Sequence, residues 1–179
     1  MRKEVHAVAT VFDVANFFIT AENKKEQGSM TNLRLNKILY FAQIVSILEH
    51  GKPLFHDDFE AWNLGPVIPS VYHKYKAYAD APIKSTEAID YSVFSAEEIR
   101  LLFDIFSLYK NLATSRLVEL SHQPNGPWHR AYTKGVGKKI IPREEIEQFY
   151  RQAYIKNKFP RRSEHLLTLI PEAEQISIE

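Results

Sequence analysis

The stretch from Thr31 to Glu49 constrains this chain more than any other. Leu35, Ile38, Leu39, Ala42, Val45 and Leu48 recur at helical spacing, and Phe41, Ile44 and Ile47 widen the stripe past one face. A helix apolar over so much of its circumference has to be surrounded by other elements. It is too short and too polar at its ends to cross a bilayer, which takes about 20 apolar residues. The expectation is a buried central helix over 31–49, capped by Thr31 or Asn32 and closed at His50-Gly51. Lys37 interrupts the apolar surface. A lysine there snorkels outward, meets a carboxylate or a carbonyl, or touches a partner.

The other segments read as elements arranged around that helix. Residues 8–22 carry Val11, Val14, Ala15, Phe18 and Ile19 at helical spacing, with Phe12 and Phe17 beside them, and a polar loop follows over 23–29. Glu60-Ala-Trp-Asn-Leu-Gly-Pro-Val-Ile-Pro69 reads as an extended segment, a tight turn and a helix start. Gly65 supplies a backbone conformation other residues avoid, and Pro69 suits a first helical turn. Extended character around Ile89 and Tyr91 suggests pairing of 89–92 with 59–62. Ser95-Ala-Glu-Glu98 is a capping box opening a helix with Ile99, Leu102, Phe103, Phe106 and Tyr109 in its stripe. After a break at 112–114, Thr114 or Ser115 is placed as the cap of a short helix, and Pro127 as the start of another. A glycine- and lysine-rich turn over 134–141 leads to Pro142-Arg-Glu-Glu145, which opens a last helix with Ile146, Phe149, Tyr150 and Ala153 inward. The fold class is therefore mainly α. One globular domain of six or seven helices surrounds a central buried helix, with a minor β-hairpin-like element. The domain is assigned to residues 1–154 and a C-terminal extension to 155–179, which is basic first, apolar over Leu166–Ile170 and acidic at its end. That extension is read either as a frayed tail or as a segment docked through Leu166, Leu167, Leu169 and Ile170 on its own domain or a partner.

Composition narrows the chemistry. A chain of 179 residues is the size of one domain. It has no cysteine, so it has neither a disulfide framework nor a thiolate metal site, in keeping with a reducing cytoplasm. No secretory leader and no membrane span are read from it. A net charge of +1 argues against a dedicated nucleic-acid binder. The acid-free basic stretch Arg130, Lys134, Lys138, Lys139, Arg143 is the one feature favouring such a regulator. The seven histidines are scattered, and none falls in a metal-ligand spacing. Gly135-Val-Gly137-Lys138 lacks the spacing of a phosphate loop. Ser121-His122 contains a nucleophile and a base, but neighbours in sequence rarely face one another. The residues thus describe a helical domain without an evident active site, cofactor or metal, and leave binding as its function.

The run Lys37-Ile-Leu-Tyr-Phe-Ala-Gln, then Gly51-Lys-Pro-Leu-Phe, then Glu60-Ala-Trp-Asn-Leu-Gly-Pro-Val-Ile-Pro-Ser-Val-Tyr resembles the Panacea domain, and Leu120-Ser near Pro127-Trp128 fits the same pattern. The resemblance covers roughly residues 8–154. It implies a non-enzymatic antitoxin of a bacterial or phage toxin–antitoxin pair. Such a protein neutralises a cognate toxin by direct binding or, in some members, hands it to a host protease as an adaptor. Oligomeric state is left open. The positions matching the family signature, taken as candidate partner contacts, are Lys37, Tyr40, Trp62, Asn63, Gly65, Pro66, Val67 and Trp128.

Overall fold

The computed structural model describes residues 9–24, 29–84, 87–133, 136 and 138–156. Among the described residues, seven α-helices follow one another: α1 (Val11–Asn23), α2 (Asn32–His50), α3 (Pro69–Tyr75), α4 (Ala96–Tyr109), α5 (Thr114–Ser121), α6 (Pro127–Ala131) and α7 (Arg143–Lys156). Three short strands, β1 (Phe59–Trp62), β2 (Gly65–Val67) and β3 (Lys139–Ile141), pair antiparallel in the order β2-β1-β3. The expected fold class holds.

The central helix is central. Helices α1, α3, α4, α5 and α7 and strand β2 all pack on α2, and every residue from Arg34 to Ile47 is buried. Thr31 caps it, its hydroxyl accepting from Arg34 N at 3.2 Å, and Gly51 closes it in the left-handed region at φ +68°. Full burial of one Leu or Ile side chain contributes about 1.5–3 kcal/mol. The stripe Leu35, Ile38, Leu39, Ala42, Ile44 and Val45 therefore contributes heavily to the apolar core.

Six polar residues of α2 (Asn32, Arg34, Asn36, Lys37, Gln43 and Ser46) are buried too, and each bonds a backbone group of a neighbouring segment. Gln43 donates to Phe55 O (2.8 Å) and accepts from Leu54 N (2.8 Å). Ser46 donates to Lys52 O at 2.9 Å. Asn36 accepts from Ile68 N at 2.9 Å, and Asn32 donates to Tyr72 O at 2.9 Å. On another side, the Arg34 guanidinium donates to Leu112 O (2.6 Å) and Tyr109 O (2.8 Å), carbonyls at the end of α4. These bonds satisfy loop and helix-end groups that packing removes from water.

Other local expectations are met. Ser95 and Glu98 form the capping box of α4; a second box, Thr10 with Asp13 at α1, was not among the expectations. Pro69 and Pro127 start α3 and α6. Two expectations need correction. Residues 89–92 do not pair with β1. Asp90 accepts from Ser92 N (2.9 Å) and Ser92 Oγ (2.6 Å), drawing Tyr91–Val93 into a 3₁₀ turn instead of a strand. The partners of β1 are Gly65–Val67 and Lys139–Ile141. Neither Thr114 nor Ser115 caps α5. Ala113 occupies the cap position without a side-chain bond, and both hydroxyl residues lie inside the first turn. Ala153 and Lys134, together with residues 157–179, fall outside what is described of side chains or chain. No helix of the described residues is long and apolar enough to cross a membrane.

Candidate functional site

The signature residues converge on the β1–β2 hairpin. Trp62 pairs with Gly65 and Glu60 with Val67, leaving Asn63-Leu64 as a two-residue tip. Gly65 makes the reversal possible at φ +104°, a conformation closed to side-chain-bearing residues. It is also a site of close approach. A Cβ there would lie 2.6 Å from Ser121 Oγ, 2.9 Å from Lys37 Cε and 3.0 Å from Lys37 Nζ. Pro66 fits because β2 is the edge strand of the sheet, with no further strand beside it among the described residues.

Lys37 lies wholly inside and donates to the Pro66 carbonyl at 2.6 Å. Of the alternatives open to it, the carbonyl is the one observed. Burial pulls its ammonium down to about 7, because the charged form loses its water. From the other side, Trp128 Nε1 donates to Trp62 O at 2.8 Å. The Trp128 ring is stacked between His122 (3.7 Å, 12°) and Tyr132 (4.7 Å, 15°). Tyr132 in turn donates to Asn63 Oδ1 at 3.0 Å. The hairpin is thus anchored at both backbone ends by buried side chains from α2 and α6.

Ser121 and His122 do not form a nucleophile–base pair. Ser121 Oγ donates to the carbonyl of Val118 in its own helix at 2.7 Å. His122 is turned into the Trp128 stack, and burial, followed by the nearby Lys37 charge, lowers its pKa.

The tip itself faces solvent. Trp62 is half-buried, its Nε1 donating to Glu60 Oε2 at 2.8 Å, its ring edge-on to Tyr72 at 4.8 Å. Lys138 Nζ sits 4.3 Å from the Trp62 ring centre. Leu64 is 51% exposed and Tyr72 36%. Between the tip, the start of α2 and α3 lies a groove of about 320 Å³ bordered by Asn36, Trp62, Leu64, Val67, Tyr72 and Lys76.

Of the eight sequence-derived candidates, Asn63 is exposed and Trp62 partly so, while Lys37, Gly65, Pro66, Val67 and Trp128 are buried beneath or beside them. Tyr40 stands apart. It lies deep in the core against Phe41, Phe59 and Tyr150, and burial raises the pKa of its hydroxyl. Sequence reasoning missed Leu64 and the exposure of Tyr72. An apolar residue at the centre of a tight turn, where nothing can cover it, was the available signal for Leu64.

Residues 35–129 match the family model of the SocA-like antitoxins, the Panacea domain. A relative, antitoxin SocA of Caulobacter vibrioides (strain NA1000 / CB15N), is 32% identical over 110 residues, covering 55% of this chain and 58% of the relative. The chain thus spans well under two thirds of that relative's length. No solved structure matches it. The matched span runs from the first turn of α2 into α6 and takes in the whole hairpin with Lys37 and Trp128. The chain belongs to the SocA-like Panacea-domain antitoxin family.

Proposed function

We propose that this Panacea-domain chain is an antitoxin that neutralises a cognate toxin protein by direct protein–protein binding, with the β1–β2 tip at the centre of the contact. Family membership supports the antitoxin role. One observation supports the location: half-buried Trp62 and exposed Leu64, on a hairpin that Lys37 and Trp128 hold in place, form one aromatic–apolar group with the exposed Tyr72 of α3. Trp and Tyr are the side chains that most often anchor interfaces, and a pre-organised anchor loses little entropy on binding. A stable interface buries about 1,600 Å² in total, so the tip is its core and surrounding surface its rim. On this reading Asn63 and Trp62 touch the partner. Lys37, Gly65, Pro66, Val67 and Trp128 position them, and Tyr40 belongs to the core. Neutralisation then needs occlusion or trapping of the toxin, without cofactor or catalysis.

Co-expression tests it. Each open reading frame adjacent to the gene is expressed alone, with this chain, and with Trp62→Ala. A neighbour that is toxic alone, rescued by and co-purifying with the wild-type chain, is the expected result. Trp62→Ala should remain folded by circular dichroism and lose rescue. Rescue accompanied by disappearance of the toxin, with the toxin returning in a protease-deficient host, would favour the adaptor reading over occlusion. A set of neighbours none of which is toxic or co-purifies would refute the antitoxin role.

A further inference from the structure

The groove beside Trp62 offers apolar faces and a positive charge. Its walls are the faces of Trp62, Leu64, Val67 and Tyr72. Lys76 is the charged side chain of its lining, and Lys138 stands over the Trp62 ring nearby. The carboxylate of Glu60 is already engaged by Trp62 Nε1, and Asp80 follows the lining instead of joining it. A volume of about 320 Å³ accepts a few side chains and not a folded element.

The chain carries a segment of that chemistry outside the described residues. From Ser163 to Glu179 it contains no lysine or arginine. Leu166, Leu167, Leu169 and Ile170 are followed, after Pro171, by Glu172 and Glu174. The described chain ends with α7 at Lys156, and residues 157–165 lie between that helix and Leu166. At about 3.3–3.6 Å per residue such a linker spans up to about 30 Å, the diameter of a small domain.

We propose that the groove between Trp62 and Tyr72 is a docking site for the chain's own C-terminal segment, residues 166–174. Leu or Ile side chains of 166–170 fill the aromatic lining, and Glu172 or Glu174 meets Lys76. The segment then covers the apolar tip in the free protein, and any partner binding there has to displace it. This proposal stands whether or not the partner is a toxin, since it concerns the free chain alone.

The test uses the full-length protein labelled with 5-fluorotryptophan. Its two tryptophans give two ¹⁹F resonances, assigned by Trp62→Phe. The double variant Leu167→Asp/Leu169→Asp should move the Trp62 resonance and leave that of Trp128 in place. A synthetic peptide of residues 163–179 added to this variant should return the Trp62 resonance saturably to the wild-type position. Lys76→Glu in the same background should weaken that return several-fold, as raising the salt should, because the pair is solvent-facing. Identical Trp62 resonances in wild type and tail variant would overturn the proposal, as would a peptide that leaves Trp62 unmoved. A Trp62 shift that follows protein concentration would assign the groove to a second copy, which equally overturns it.

Discussion

A buried lysine makes the stability of this domain depend on pH in an unusual direction. Lys37 has its amine against Pro66 O at 2.6 Å and an ammonium pulled down to about 7 by burial. In the unfolded chain an ordinary lysine titrates near about 10.4. Between those values the unfolded state binds more protons than the folded one, so stability must rise with pH across the window. Below pH 7 both states hold the proton and the cost of burying the charge is borne in full. From pH 7 to pH 9 the folded state goes from about half-protonated to nearly neutral while the unfolded state stays mostly charged. Integrating the difference gives a gain of about 2 kcal/mol over those two pH units. Lys37→Met keeps the length of the side chain and removes the proton. It leaves Pro66 O without its donor, a constant cost of about 1–3 kcal/mol, and abolishes the slope. Urea midpoints of both proteins at pH 6, 7, 8 and 9 check this. The wild-type curve should climb relative to Lys37→Met above pH 7 and run parallel to it below. Parallel curves throughout, or a wild type that loses ground above pH 7, would refute the account of Lys37 as a buried donor that gives up its charge as pH rises through 7.

Two further substitutions probe the same architecture. Gly65→Ala should cost about 2–5 kcal/mol in urea denaturation, combining backbone strain at φ +104° with a Cβ 2.6 Å from Ser121 Oγ. A cost under about 1 kcal/mol would mean that neither constraint is real. Arg34→Met should destabilise by about 3 kcal/mol, because the carbonyls of buried Tyr109 and half-buried Leu112 lose a charged donor, and hydrogen exchange should accelerate first at the end of α4.

Much of the fold could be read along the chain because its signals are local. The stripe from Leu35 to Val45 marked α2, Thr31 and Gly51 marked its ends, and Ser95 with Glu98 marked the start of α4. Caps and helical periodicity act within about one turn, so neighbouring residues are enough to reveal them. The β element was located correctly at 59–62 but given the wrong partner. A short strand carries little preference of its own, and the competing turn at Asp90–Ser92 was decided by a single side chain. Strand β3 is separated from β1 by the span of four helices, and nothing in Lys139-Ile-Ile141 names Phe59–Ala61 as its mate.

The candidate site divides in the same way. Gly65 and Pro66 announced a tight turn, and the family signature announced that Lys37, Trp62 and Trp128 matter together. Their separate roles depended on contacts between residues far apart in the chain: Lys37 with Pro66, Trp128 with Trp62, Tyr132 with Asn63. Residue type and local pattern fixed that a helix at 31–49 had to be buried. Where its polar side chains found partners was settled by packing, because a buried donor takes whichever backbone the surrounding elements bring within reach, and no spacing in the sequence encodes that meeting.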